Sequence, residues 1–235
     1  MRSSLLKLEA LRCGYGQAMV VHDLTLDIAP GEALALLGKN GMGKTTLLKG
    51  ILGFLPRQAG RVVFGDTELA SGQPHLLAAR GIAYAPQEKA VFQDLSIEEN
   101  LRVAVPDQKR LCLGLERIAT YFPFIVQRLR QKAGTLSGGE QKMLILGRAL
   151  IAQPRLLLVD EITEGLQPSV IQRISGVLQA ERKESSIAML IVEQNVDFAL
   201  KTCDRFAVLE RGEIHEQGQA NSADAHERIV RKLGL

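Results

Sequence analysis

Residues Gly38-Lys39-Asn40-Gly41-Met42-Gly43-Lys44-Thr45 fit the spacing G-x-x-x-x-G-K-[ST] without a gap. Glycines at Gly38, Gly41 and Gly43 let successive backbone N–H groups, that of Asn40 among them, turn inward around phosphate oxygens. Lys44 adds a point charge at the β- and γ-phosphates, and Thr45 can offer its hydroxyl to Mg²⁺. A helix running on through Thr46 directs its positive end at the same anion. The apolar strand EALALLG precedes the loop, so the stretch is read as a nucleotide cradle and not as a chance Gly-rich turn.

Three further groups of residues have chemistry to offer. The run Leu156–Asp160, LLLVD, is a buried strand ending in a carboxylate, which places Asp160 to hold Mg²⁺ through water. Glu161 follows at once and can face an attacking water as a general base. In LSGGEQ, 136–141, Ser137 with Gly138 and Gly139 at a helix start forms a second anion-binding helix end, with Glu140 next. Last, the apolar run Ile187–Val192 predicts a strand buried on both faces of a parallel sheet. Ligands collect at the carboxyl ends of such strands, and Gln194 sits there. Its amide can donate to a phosphate oxygen and accept from water, but carries no charge.

Alternating strands and helices must bring these residues together. The first 30 residues alternate in polarity and predict an antiparallel β region. After the phosphate loop and its helix, a strand pair surrounds GRVVFG and GIAYAPQ is another apolar strand, with Tyr84 assigned to the core. Residues 88–134 change in texture; Ser96 and Glu99 have capping-box spacing, and a helical insert is predicted. After LSGGE come a helix, the strand RLLLVDE, a helix from Ser169, the strand ending at Glu193 and a final β region, RFAVLERGEIHEQG. The tail ADAHERIVRKL is read as a solvated amphipathic surface helix. The order predicts an α/β chain with a mainly parallel sheet. Residues 1–87 and 135–220 form the core with its β region, 88–134 a helical subdomain, and 221–235 a short tail.

Composition excludes several classes. A net charge of +3 from 29 basic and 26 acidic residues gives no support for a nucleic-acid surface, and none is expected as partner. Cys13, Cys112 and Cys203 are far apart and match no metal spacing, which suits a reducing compartment. Four scattered histidines supply neither a zinc site nor a Ser-His triad. The N-terminus is not read as a signal peptide, and no stretch approaches the roughly 20 apolar residues of a membrane span.

Two phosphate-binding helix ends in one chain resemble the ATP-binding cassette (ABC) family, whose signature is LSGGQ. The resemblance covers essentially the whole chain. It implies the α/β P-loop NTPase fold of ABC ATPases, with an N-terminal antiparallel β region and a helical subdomain insert. It also implies ATP and Mg²⁺ as ligands, and two ATP molecules held between two subunits, each signature closing on the other subunit's phosphate loop. On this resemblance Tyr15 in CGYGQ stacks on adenine, and Gln87 in YAPQEK senses Mg²⁺ and water. EGLQP, 164–168, matches the D-loop, with Gln167 where Asp is common and Ile162 replacing a usual proline. Gln194 stands where most cassettes place a histidine, which implies a slower site than one with histidine. The catalytic set is then Glu161, Gln194 and Lys44, with Mg²⁺ at Thr45, Asp160 and Gln87.

Longer phrases, among them YGQAMVVHDLTLDI, TLSGGEQKMLILGRALIAQPRLLLVDE and LIVEQNVDFAL, are similar to ATP-binding subunits of branched-chain amino acid and urea importers. EGLQPS and Gln87 lean toward urea or short amides. The resemblance implies transmembrane permeases as partners, a second ABC ATPase (a paralogue before a second copy), and a periplasmic or extracellular solute-binding protein reached through the permeases. It places the chain at the cytoplasmic face of the cell membrane, peripheral, with residues 88–104 forming a groove for the permease. Two alternatives stay open: the ATPase of another transporter class, such as lipopolysaccharide export, and a non-transport cassette acting on DNA, ribosomes or iron–sulfur assembly.

Overall fold

The computed structural model describes residues 4–87 and 90–234. The alternating N-terminal residues form β1 (Leu6–Tyr15) and β2 (Ala18–Ile28), paired antiparallel. Along β1, Leu6, Leu8 and Leu11 are buried, while Lys7 and Arg12 face solvent, as a half-buried strand requires. Strands β4 (Arg57–Phe64) and β5 (Thr67–Glu68) complete a four-stranded antiparallel sheet.

The near-continuous apolar runs form a second sheet in the order β10-β9-β3-β8-β7-β6. These are β3 (Ala33–Leu37), β6 (Ile82–Ala85), β7 (Leu156–Asp160), β8 (Ala188–Glu193), β9 (Arg205–Glu210) and β10 (Glu213–Gln219). β3 lies parallel to both β8 and β9, and β8 to β7 to β6; only β9–β10 is antiparallel. The final β region therefore extends this main sheet and does not join the N-terminal one.

Burial on both faces explains the uninterrupted apolar runs. Leu34 and Leu36 of β3, with Leu158 and Leu190, join the core beneath the N-terminal sheet and α1 (Lys44–Ile51). Ala35 and Leu37, with Val159 and Ile191, join the opposite core under α5 (Gly138–Ile151), α6 (Pro168–Ser185) and α7 (Val196–Thr202). Each such Leu or Ile contributes about 1.5–3 kcal/mol relative to exposure. Ile162, in the position of the usual proline, is buried in this second core.

Between β6 and α5 lie α2 (Ile97–Arg102), α3 (Gln108–Tyr121) and α4 (Pro123–Gln127). The expected start of this insert, at residue 88, falls outside the described residues. The capping box is present: Ser96 Oγ accepts from the Glu99 N–H, and Glu99 accepts from the Ser96 N–H at 2.7 Å. The C-terminal helix α8 (Ala225–Leu233) differs from its expectation as a solvated element. Ala225, Ile229 and Leu233, spaced four apart, are buried in the main core against α7, β9 and β10.

Helix α3 approaches α5 at Gly114, where a Cβ would lie 1.9 Å from Ile151 Cγ1. In an exposed helix Gly→Ala gains up to about 1 kcal/mol. Here overpacking opposes it, so Gly114→Ala is expected to destabilise by about 1–3 kcal/mol in chemical denaturation.

Candidate functional site

Because β3, β6, β7 and β8 run parallel, their carboxyl ends share one edge of the sheet. Gly38 follows β3, Gln87 follows β6, Glu161 follows β7 and Gln194 follows β8. The loop after β3 needs its glycines. Gly41 and Gly43 have φ of 81° and 100°, and a Cβ on Gly38 would lie 2.7 Å from the Leu209 carbonyl oxygen. Gly43 brings no side-chain cap to α1, so the first N–H groups of that helix remain available to an anion. Asn40, Lys44, Thr45, Gln87 and Glu161 line a cavity of about 170 Å³ over the loop.

The Lys44 ammonium is buried and uses all three donors. It donates to the carbonyls of Gly38 (2.7 Å) and Lys39 (2.9 Å) and pairs with Glu161 Oε1 at 2.9 Å. A buried pair is tolerated only when its remaining hydrogen-bonding capacity is met. Glu161 meets that condition: Oε2 accepts from Gln87 Nε2 (2.9 Å) and Gln194 Nε2 (3.1 Å). Gln194 Nε2 also donates to Asn40 Oδ1 at 2.8 Å, bridging the phosphate loop and Glu161. Glu161 has φ of 41°, a costly backbone for a non-glycine residue and one that clusters at functional sites. The carboxylate is thus aimed by its own strained backbone and held by three side chains.

Asp160 ends β7 with its side chain buried. Thr45 Oγ1 donates to Oδ1 (3.4 Å) and the Tyr84 hydroxyl to Oδ2 (3.1 Å). Burial pushes the Asp160 pKa up, against these two hydrogen bonds. Tyr84, expected to be core only, packs against the core with its ring and reaches the site with its hydroxyl. Burial, then the Asp160 charge, raises the pKa of that phenol, so it stays a donor. A buried carboxylate and a hydroxyl form a hard oxygen set that suits Mg²⁺.

The remaining candidates lie around this centre. Tyr15, at the β1–β2 turn, is 49% exposed, with Lys49 Nζ 3.4 Å from its hydroxyl. Ser137 caps α5, and Gly138, Gly139 and Glu140 form its first turn. Among the described residues no hydrogen bond or ion pair joins these four to the phosphate loop. They are tied to the site through Lys142 of α5, whose ammonium donates to the Gln87 carbonyl. Thr46 follows within the first turn of α1 and lines the cavity.

Several further side chains complete the site without a motif in the sequence to mark them. Gln87 Nε2 also donates to Glu164 Oε2 (2.5 Å). Glu193, buried at the end of β8, accepts from the Thr163 N–H (3.0 Å) and hydroxyl (2.9 Å), clamping the loop after Glu161. Burial raises its pKa against those bonds. The only signal in the sequence was a carboxylate closing an apolar run. Ser137 and Glu140 form a second capping box, whose S-x-x-E spacing was legible.

Asp160 has its pKa raised by folding, so its charged form costs stability above the ordinary carboxylate pKa and nothing below it. Asp160→Asn is therefore expected to raise the Tm of the nucleotide-free chain by a few degrees at neutral pH. The gain should shrink as the pH falls through the folded pKa and vanish below about 4.

Comparison with known proteins places this geometry. The family model described as ABC transporter matches residues 21–164. The chain is 36% identical to the high-affinity branched-chain amino acid transport ATP-binding protein BraG of Pseudomonas aeruginosa, over 92% of this chain and 94% of that one. It is 35% identical to the probable branched-chain amino acid transport ATP-binding protein LivF of Archaeoglobus fulgidus, over 96% of each. It is also 33% identical to the lipopolysaccharide export system ATP-binding protein LptB of Escherichia coli, over 92% and 91%. In fold it matches a nucleotide-free ATP-binding cassette from an ABC transporter with a TM-score of 0.86 at 23% identity, over 98% and 97%. With a phosphate loop, a strand-end acid pair and a capped signature helix on one cassette fold, this chain belongs to the ABC transporter family as one of its nucleotide-binding ATPases.

Proposed function

We infer that this chain powers uptake of urea, short amides or branched-chain amino acids through partner permeases. The observation that carries the ATPase half is the convergence of Lys44, Gln87 and Gln194 on the Glu161 carboxylate. In the resting chain Lys44 occupies Glu161; an ATP γ-phosphate offers the ammonium a stronger anion and frees the carboxylate. Glu161 then takes a proton from the attacking water. Gln87 and Gln194 orient that water, and Lys44 and the loop N–H groups stabilise charge on the phosphates. Thr45 and Asp160, with Gln87 nearby, would hold Mg²⁺, which supplies charge neutralisation at the β- and γ-phosphates. Tyr15 offers its exposed ring to adenine.

On this reading residues 1–87 and 135–220 are the nucleotide-binding core, and 88–134 the helical subdomain. Ser137, Gly138, Gly139 and Glu140 face the ATP of a second cassette, a paralogue. Pairing brings the two cassettes together at the cytoplasmic face of the cell membrane, and a solute-binding protein delivers the solute to the permeases. Among the described residues no helix is long and apolar enough to cross a membrane.

The permease has a candidate seat. A groove of about 670 Å³ is lined by Ala83, Tyr84, Val103, Val105, Arg110 and Arg148; of the expected span 88–104, only Val103 and Ala104 line it among the described residues. Val103 is 59% exposed, and nearby Phe92, 52% exposed, lies under the Arg148 guanidinium at 5.6 Å. Tyr84 lines this groove and donates to Asp160, so a segment docked there is one side chain from the ATP site. The identity to branched-chain amino acid transport proteins favours this class over export.

Three measurements test these roles. Glu161→Gln is expected to lower kcat by about 10²–10⁴-fold while fluorescent nucleotide binding persists. In the assembled pair, Gln194→His should raise turnover and Gln194→Ala lower it; no change from either, with Glu161→Gln inactive, removes Gln194 from the reaction. Val103→Asp should release the chain from membranes carrying its permeases while nucleotide affinity is kept. Retention of that variant, or stable binding of the native chain to ribosomes or DNA at physiological salt, would displace the transport reading.

A further inference from the structure

Glu140 puts a carboxylate at the positive end of α5, in the position of a neutral glutamine in the family signature. Its Oε2 accepts from the Ser137 N–H (2.9 Å) and the Ser137 hydroxyl (2.8 Å), while Ser137 Oγ accepts from the Glu140 N–H (3.3 Å). A hydroxyl has one proton to give. Glu140 therefore holds the donors that an incoming phosphate would use, and its charge answers the helix-end field that would attract one. The other oxygen, Oε1, pairs with Arg128 Nη1 at 2.9 Å. Arg128 follows α4 and lies 5.9 Å from the Phe124 ring, which packs along the guanidinium. Hydrogen bonding from Ser137 and the Arg128 charge hold the Glu140 pKa below the usual carboxylate range, so the group meets a phosphate as an anion.

We propose that Arg128 is a positioning residue for the signature, supplying the counter-charge that lets a helix end bearing Glu140 accept the γ-phosphate of a second subunit's ATP. The proposal rests on the reading that Ser137 faces that ATP. Two anions meeting across a subunit interface repel, and a like charge set at such a contact weakens association. Arg128 offsets the charge of Glu140 through Oε1, while Oε2 stays on the Ser137 N–H and hydroxyl. Arg128 matters only because residue 140 is charged. A purely structural role would matter whatever residue 140 carried.

The test uses the transporter complex, purified with its permeases and second ATPase through a tag on this chain, and reads the ATP dependence of hydrolysis. Arg128→Gln should raise the KM for ATP roughly fivefold to tenfold with a smaller effect on kcat, and Arg128→Lys should restore most of the loss. Adding Arg128→Gln to the Glu140→Gln background should change KM by less than about twofold. An equal Arg128→Gln penalty in both backgrounds, or none in either, overturns the proposal. Ser137→Ala separates the two levels. If it leaves KM and kcat untouched with the Tm preserved, the facing reading itself fails. If it raises KM and the Arg128 penalty persists beside Glu140→Gln, only the role of Arg128 fails.

Discussion

Parallel pairing of β6, β7, β8 and β3 is the constraint on which the rest depends. Leu37 pairs with Glu193, Val192 with Asp160 and Val159 with Ala85, so four strand ends meet in register at one edge. A parallel strand cannot return by a tight turn; it needs a crossover, and the crossovers here carry α5, α6 and the helical insert. The pairing thus sets both where the chemistry collects and where the helices must lie. A slip of one residue would turn Asp160 from the site toward the opposite face and bury different side chains.

At that edge, charge is managed by saturation. Lys44 and Glu161 are both buried, a combination that costs desolvation unless every donor and acceptor is used. Lys44 spends its three N–H groups on two carbonyls and Glu161, and Glu161 takes two amides on its second oxygen. The same contacts make the resting site responsive. On the proposed mechanism, an anion that draws Lys44 away leaves Glu161 held by the Gln87 and Gln194 amides alone. The left-handed backbone at Glu161 is the strain that keeps the carboxylate aimed at this point.

The signature end follows another rule. Ser137 and Glu140 cap α5 mutually, which stabilises the helix but places an anion where the helix field is most positive. On the proposed function, local stability and phosphate affinity oppose one another there, with Arg128 paired to the capping carboxylate. Lys142, one turn along from Gly138, holds the Gln87 carbonyl, so the signature helix and the residue beside Glu161 share one contact.

Much of this was legible in the chain alone, because it is local. The phosphate loop needs glycines at fixed offsets to reach φ of 81° and 100°, and those offsets are written in GKNGMGKT. Runs such as LLLVDE mark strands buried on both faces, and S-x-x-E marks helix starts, since each depends on neighbours within one turn or strand. Only the tertiary structure decided which side chains meet across the fold. Gln194 and Asn40 are 154 positions apart, and the Tyr84 hydroxyl reaches Asp160 across 76. The Glu193–Thr163 clamp and the Arg128–Glu140 pair have no periodic signal either, and the i, i+4, i+8 stripe of α8 marks a helix face without naming what covers it. Local pattern records the conformation of the backbone and the face it buries; the partner of a side chain depends on strand order and helix packing, which arise only when the whole sheet closes.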